Sequence, residues 1–226
     1  LNFIAGAQAV MMCGAKPVFC DVEEKTLCID PIQVEKLVSK RTKAIIAVDY
    51  SGSIANYKQL DKIKKKFKRI RIVQDAAHSF GSFYKNKKVG TFADITMFSF
   101  DPIKTITALD GGAVVVNTKE ELNELKSIRQ LGFSTQPNVA FYNKKKLITD
   151  VKTVGMQNRM TNLHAAVGIE QLKKIKKISK VKMMLSKNYN KLLKFNDKVI
   201  TPNSDYKDVV PFIYYIRVNY KYRDKL

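Results

Sequence analysis

Short apolar runs alternate with amphipathic stretches of helical period along most of this chain. Strands and helices that alternate in this way are typical of an α/β domain, in which helices connect and cover a largely parallel sheet. The pattern therefore predicts an α/β fold, a three-layer sandwich built around a mostly parallel sheet. The predicted strands span residues 16–22, 43–48, 70–74, 95–100 and 112–117.

Helix-start signals place helices between these strands. Asp30 followed by Pro31 supplies an N-cap and a first-turn proline, so a helix is predicted over residues 31–40. Thr118 and the glutamate three residues later form a capping box, and we expect that helix to end by Gly132. Further helices are predicted over residues 57–67 and 162–195, the second as one long helix with at most one break.

The C-terminal part of the sequence predicts a second, smaller domain. A turn-rich linker over residues 202–208 precedes an aromatic and β-branched run over residues 209–218, which is predicted to be a strand. We therefore predict a large domain over 1–172, followed over 173–226 by a connecting helix and the beginning of a small α+β domain. Because the sequence starts without Met and the small domain is cut off at Leu226, we expect a piece that is truncated at both ends.

The formal net charge of +21 makes nucleic-acid binding a hypothesis to test, because clustered basic residues release counterions from phosphate backbones. Only seven of the 41 basic residues are arginine, the side chain suited to bidentate phosphate and base contacts. The lysines are spread over many segments, which favours solvated helix faces, and no nucleic-acid partner is expected. A non-catalytic or nucleic-acid-binding lysine-rich α/β protein remains the alternative.

Cysteine spacing and hydropathy bear on the compartment. Cys13, Cys20 and Cys28 are odd in number and fit neither a disulfide framework nor paired zinc ligands. We therefore expect reduced, partly buried thiols and no metal site, which is consistent with the cytoplasm. No apolar run approaches the roughly eighteen residues that a membrane span requires, so no membrane association is expected.

Two polar residues lie at the carboxyl ends of predicted strands, where ligands of open α/β sheets bind. Asp75 ends one strand, and Lys104 lies in the segment that follows the next. Small residues at 76–77 and 111–112 leave room for a planar ligand. The two groups could form a structural ion pair. They also match the requirements of pyridoxal 5'-phosphate, which needs an amine, a carboxylate and hydrogen-bond donors for its phosphate.

Six separate blocks of this sequence resemble, in their order and in their spacing, the DegT/DnrJ/EryC1/StrS family of nucleotide-sugar aminotransferases. The resemblance covers almost the whole chain. It implies a fold-type-I enzyme that uses pyridoxal 5'-phosphate to move an amino group from glutamate to a nucleotide-linked keto sugar, for amino-sugar and surface-polysaccharide biosynthesis. The blocks are residues 3–5, 13–19, 42–46, 75–81, 98–104 and 157–166.

The resemblance implies roles for three residues around the cofactor ring. Lys104 would hold the cofactor as a Schiff base, the internal aldimine, and then shuttle the proton at the substrate carbon. Asp75 would pair with the pyridinium nitrogen; its alternative role is the N-cap of a following helix. His78 would lie beside the ring near its phenolic oxygen, or be a hydrogen-bonded core histidine.

Three further roles follow from the same resemblance. Ser99 would bind the cofactor phosphate, or cap a turn at the strand end. Asn158 would reach the phosphate of the neighbouring subunit, which implies a homodimer with shared active sites; by itself it would be a loop residue. Phe3 would stack on the cofactor ring, or be a core phenylalanine.

The sequence also departs from the family pattern. Thr105 follows the lysine where the family has Asn, and Asp110 precedes the two glycines where the family has Glu. The phosphate-cradling loop expected before Leu1 is missing, so this piece alone is not expected to bind cofactor at full strength. Sugar 3-dehydratases of the family carry histidine in place of the lysine, so Lys104 favours amino transfer. Amination of a ring other than a sugar stays open.

Overall fold

A four-stranded sheet forms the centre of the protein, in a computed structural model that describes residues 1–134 and 150–225. The strands of the described part are β1 (Ala44–Val48), β2 (Arg71–Asp75), β3 (Phe83–Tyr84), β4 (Lys87–Lys88), β5 (Ile95–Ser99), β6 (Gly112–Val116), β7 (Val199–Ile200) and β8 (Arg217–Val218). The central sheet has the order β1-β2-β5-β6; the first three strands are parallel, and β6 is antiparallel to β5. The predicted mixed α/β fold with a mostly parallel sheet is therefore confirmed.

The helices that the sequence predicts begin where it predicts them to begin, whereas α1 (Ala5–Met12) and α7 (Tyr220–Arg223) were not predicted. The Asp30 carboxylate accepts a hydrogen bond from Ile32 N at 2.8 Å, and Thr118 Oγ1 accepts one from Glu121 N at 3.2 Å. The predicted long C-terminal helix is broken once, at Lys174. The helices are α1 (Ala5–Met12), α2 (Pro31–Leu37), α3 (Tyr57–Lys66), α4 (Lys119–Ile128), α5 (Asn162–Lys173), α6 (Ile175–Leu193) and α7 (Tyr220–Arg223).

The main core lies between α2, α3 and the β1–β2 pair. On α3, Tyr57, Leu60 and Ile63 are buried at intervals of three residues, as one face of a helix requires. Alternate residues of the strands, including Ile45 and Ile72, meet them. Each such buried aliphatic side chain contributes about 1.5–3 kcal/mol. This packing fixes the carboxyl ends of β1 and β2, where the candidate residues lie.

The strand predicted over residues 16–22 is wrong. The structure has no regular strand there, and one isolated bridge joins Val22 to Ile29. Pro17 lacks the N–H that a ladder needs, and Val18 and Phe19 are exposed rather than packed on the sheet. The apolar run therefore predicted a strand at a place where no neighbouring strand pairs with it.

The strand predicted over residues 209–218 is also largely wrong, because only Arg217–Val218 pairs, with Val199–Ile200. Val209 to Phe212 are buried, but they cross loops at the carboxyl edge of the central sheet. Their backbone bonds go to loop atoms: Val210 N donates to Ser82 Oγ at 2.8 Å. Pro211 cannot donate at all. We call residues 208–213 the C-terminal strap.

Other sequence predictions fare unevenly. The three cysteines are free thiols, as predicted, although Cys13 is exposed while Cys20 is partly and Cys28 fully buried. Among residues 1–134 and 150–225, no helix is long and apolar enough to cross a bilayer. The domain division at residue 172 stays a prediction.

Candidate functional site

Asp75 ends β2 and is buried, with 7% of its surface exposed. Its carboxylate accepts a hydrogen bond from Ala77 N at 3.1 Å, and no helix follows it directly, so the N-cap alternative is not what forms. Burial raises the pKa of this carboxyl; the Ala77 N–H and the charge of Lys104 partly offset that rise. A buried carboxylate of this kind can keep a basic group of a bound ligand protonated.

Lys104 lies in the turn that follows β5. Its backbone N–H donates to Asp101 O at 3.0 Å, and its half-buried side chain brings Nζ to 4.6 Å from the centre of the Phe212 ring. Lys104 follows β5 and Asp75 ends the neighbouring parallel strand β2, so both lie at the carboxyl edge of the sheet. There the Lys104 charge opposes the rise that burial causes in the pKa of Asp75 and adds to the fall that burial causes in the pKa of His78. Among the ion pairs of the described residues none joins Lys104 to Asp75, so the alternative of a structural ion pair is not what forms.

His78 lies between the strap and the loop that follows β1. Its Nδ1 accepts a hydrogen bond from Ser51 N at 3.4 Å, and its ring stacks on Phe212 with centroids 4.2 Å apart. Burial, assisted by the charge of Lys104, lowers the pKa of His78 to about 4. The imidazole is therefore neutral at pH 7, and because Nδ1 accepts, Nε2 carries the proton and can donate.

Two hydroxyl groups flank Lys104. Ser99 Oγ accepts a hydrogen bond from Asp101 N at 3.4 Å, so it caps a turn while its own proton remains available. Thr105 Oγ1 is buried and, among the described residues, has no hydrogen-bond partner. Buried polar atoms without a partner are rare in proteins, and a bound ligand is one way to satisfy them.

The two remaining predicted residues stand apart from this group. Phe3 is 75% exposed near the beginning of the chain. Asn158 is exposed in the loop before α5, where its backbone N–H donates to Arg129 O at 2.9 Å. No hydrogen bond or ring contact of the described structure joins either residue to Lys104. Their predicted roles stay predictions.

Sequence reasoning missed two residues of this region. Asp49 directly follows β1 and is fully buried; the rule that singled out Asp75, a polar residue after an apolar strand, could have found it. Phe212 comes from the C-terminal strap, more than one hundred positions after Lys104, and has no local signal. Lys182 on α6 donates to Phe212 O at 2.9 Å and helps to hold it there.

The donor set at this edge of the sheet fits pyridoxal 5'-phosphate. Lys104 offers an amine, Asp75 a buried carboxylate, and His78 a neutral imidazole donor. Ser99 and Thr105 offer hydroxyl donors, the second without a partner in the described chain. The group thus provides an amine, a carboxylate and hydroxyl donors, which are among the contacts that this cofactor requires.

Comparisons with known proteins agree with this chemistry. The model of the DegT/DnrJ/EryC1/StrS aminotransferase family matches residues 1–226. The UDP-4-amino-4,6-dideoxy-N-acetyl-beta-L-altrosamine transaminase of Helicobacter pylori is 34% identical over 196 residues, which are 87% of this chain and 50% of that protein. The chain thus spans about half the length of this curated relative.

Two solved structures are similar to this chain. Helicobacter pylori PseC, an aminotransferase involved in the biosynthesis of pseudoaminic acid, has a TM-score of 0.88 at 32% identity, over 100% of this chain and 59% of that chain. Spr1654 from Streptococcus pneumoniae, in its PMP form, has a TM-score of 0.87 at 24% identity, over 97% of this chain and 60% of that chain. At that identity the second likeness concerns the fold alone.

Proposed function

The chain belongs to the DegT/DnrJ/EryC1/StrS aminotransferase family, and from this we propose that the whole protein is a pyridoxal-phosphate-dependent sugar aminotransferase. One observation carries the proposal: the buried Asp75 ends β2, Lys104 follows the neighbouring parallel strand β5, and Lys104 shares the Phe212 ring with His78. An amine and a carboxylate held in this way are the two groups that the chemistry needs most.

When bound, pyridoxal phosphate supplies an aldehyde that takes up amino groups and a ring that withdraws electrons from the reacting carbon. Lys104 would hold the cofactor through Nζ and, when free, would carry a proton to or from the substrate carbon. Asp75 would keep the pyridine nitrogen protonated, His78 would donate from Nε2 to the ring oxygen, and the Ser99 hydroxyl would donate to the phosphate.

The proposed substrates are glutamate as amino donor and a nucleotide-linked keto sugar as acceptor. The support is the relative from Helicobacter pylori, whose name describes a transaminase of a UDP-linked amino sugar. We place the product in amino-sugar biosynthesis for surface polysaccharides, and the enzyme in the cytoplasm. A homodimer with shared sites is part of the proposal, and its support is the resemblance to the family, which implies that Asn158 would reach the phosphate of the neighbouring subunit.

The amino-transfer half-reaction tests this proposal. The whole protein, saturated with cofactor and mixed with glutamate alone, should form about one 2-oxoglutarate per subunit and then stop, because the acceptor is absent. Adding a nucleotide-linked keto sugar from a small panel should restart turnover. D-glutamate serves as the control for the donor. Failure to form 2-oxoglutarate at saturating cofactor would rule the proposal out.

A further inference from the structure

The proposed reaction makes no use of Asp49, although it is a fully buried carboxylate beside the site. Asp49 follows β1 directly and accepts four hydrogen bonds. Its Oδ1 accepts from Ala55 N and from the Tyr57 hydroxyl, each at 3.1 Å. Its Oδ2 accepts from Gln74 Nε2 at 2.6 Å and from Ser79 Oγ at 2.8 Å. A buried carboxylate needs such partners, so this cluster is a built feature of the fold.

Asp49 holds both ends of the turn that carries two of the candidate residues. At the first end, Asp49 N donates to Asp75 O at 3.0 Å. At the other end, Ser79 Oγ donates to the Asp49 carboxylate at 2.8 Å. Between these ends, Ala76 and Ala77 have no polar side chain with which to hold the turn themselves. These two anchors act together with the Ala76 N bond to Met97 O at 2.9 Å and with the Ser51 N bond to the His78 ring, and the Ser79 bond is the one that ties the end of the turn to a buried side chain.

We propose that Asp49 is a positioning residue of the site, which fixes the turn from Asp75 to Ser79 and thereby aims Asp75 and His78 at the cofactor. The inference rests on the proposed function, because the cofactor is what these two side chains would contact. A site group is effective when a second layer of hydrogen bonds locks its direction, and Asp49 supplies that layer.

The four donors to Asp49 separate positioning from general stability. Ala55 and Tyr57 tie Asp49 to the beginning of α3, away from the turn. Gln74 ties it to the strand interior and, through a 3.0 Å bond from Thr96 Oγ1, to β5. Ser79 alone among these donors belongs to the turn. Removing Ser79 or Tyr57 deletes one buried hydroxyl donor in each case, but only the first releases the turn.

The test compares Ser79→Ala with Tyr57→Phe as its matched control, in the whole protein. Both variants should lose a similar amount of thermal stability. In cofactor-free protein, only Ser79→Ala should speed amide hydrogen exchange at residues 76–79. The expected factor is about tenfold or more, because the variant loses one hydrogen bond to a charged group. Only Ser79→Ala should also weaken pyridoxal phosphate binding, by about tenfold. If Ser79→Ala does not fold, Ser79→Cys is used in its place, since the cysteine keeps a weak hydrogen-bond donor.

Equal exchange and equal cofactor affinity in the two variants would overturn the positioning role, and so would faster exchange in Ser79→Ala with unchanged cofactor affinity. A wild-type protein that fails to bind pyridoxal phosphate would instead overturn the proposed function. The exchange measurement needs no cofactor, so it still decides whether Asp49 fixes the turn.

Discussion

Asp75 and Asp94 are two carboxylates of the same sheet with opposite environments. Burial is the first influence on both, but at Asp94 the Ile72 N–H and the Lys64 ammonium outweigh it and lower the carboxyl pKa. At Asp75 burial prevails and the pKa is raised. Asp94 is therefore satisfied within the fold, whereas Asp75 is left with capacity for a ligand.

Asp75→Asn should reduce kcat/KM for amino transfer by roughly 100-fold or more, because the amide cannot hold the proton at the pyridine nitrogen. Its free energy of unfolding should change little. Asp94→Asn is the matched control and should do the reverse: a loss of about 1–3 kcal/mol of stability, with normal turnover per folded molecule. Steady-state kinetics and urea unfolding of the two variants check this contrast. Equal kinetic losses in both would contradict it.

Asp49 should make stability depend on pH. Burial raises its pKa from 3.8 to about 6, despite hydrogen bonds that act in the opposite direction. The folded state then binds more protons than the unfolded state between these two pKa values. The contribution of Asp49 to the free energy of unfolding therefore falls as pH rises from about 4 to 6. His78, whose pKa is lowered to about 4, contributes with the opposite sign.

Comparison with Asp49→Asn isolates the Asp49 contribution, since His78 is the same in both proteins. The unfolding free energy of wild type relative to the variant should fall between pH 4 and 6, by up to about 3 kcal/mol. Urea unfolding at several pH values measures the difference. A difference that is constant with pH, or that rises, would contradict a raised pKa.

Single residues were predictable from sequence where local rules apply. The position after a buried strand singled out Asp75, and the same rule applies to Asp49, which was overlooked. Phe212 was not predictable, because its contacts with Lys104 and His78 arise from the path of a distant segment. Local patterns carry no information about such long-range packing.

At the scale of elements, the C-terminal strap closes one side of the site. Phe212 N donates to Ser51 O at 3.3 Å, and Phe83 N donates to Asp208 O at 2.8 Å. These bonds hold the Phe212 ring in place, so that it stacks on His78 and lies below the Lys104 ammonium. Aromatic stacking and cation–π contact both hold side chains in a defined direction.

Phe212→Ala should lower the free energy of unfolding by about 3 kcal/mol or more, as loss of a buried aromatic ring does. It should also weaken cofactor binding, because His78 and Lys104 lose the surface on which they rest. Ile213→Ala, in the same strap but 40% exposed, is the control and should change both quantities little. Unfolding curves and cofactor titration measure these effects; unchanged affinity in Phe212→Ala would contradict the packing role.

Helix starts were predictable where capping residues and apolar periods act locally, but the short helices α1 and α7 were not predicted. The caps at Asp30 and Thr118 form as expected. The two strand errors have one cause: residues 16–22 and 209–218 have strand-like composition, but a strand also needs a neighbour with free backbone groups. That neighbour cannot be identified from the segment itself.

At the scale of the whole molecule, exposed apolar surface is prominent. Val114 and Val115 point to opposite faces of β6 and are 50% and 39% exposed. On α5, Leu163 and Ile169 are more than half exposed, and no residue of this helix is buried. The chain spans about half the length of its curated relative, so this apolar surface is available to the rest of a longer chain as well as to a second subunit.

Shared active sites predict a specific result when two variants are mixed. Lys104→Ala should be inactive, and Asn158→Ala should be weakened because each subunit would lend this residue to its neighbour. Mixed and re-associated, they form hybrid dimers with one intact site, so activity should rise to about a quarter of wild type. Light scattering should show a dimer throughout. No gain on mixing, or a monomer, would contradict shared sites.

The central claim is that Lys104 holds the cofactor. The most direct measurement is borohydride reduction of the whole protein saturated with pyridoxal phosphate, followed by peptide mass spectrometry to locate the modified lysine. Lys182, the other amine near the Phe212 ring, provides the control variant Lys182→Gln. We expect the cofactor on Lys104 in wild type and in Lys182→Gln, and on no lysine in Lys104→Ala. Cofactor found on Lys182 or another lysine, or on none at saturation, would contradict the claim.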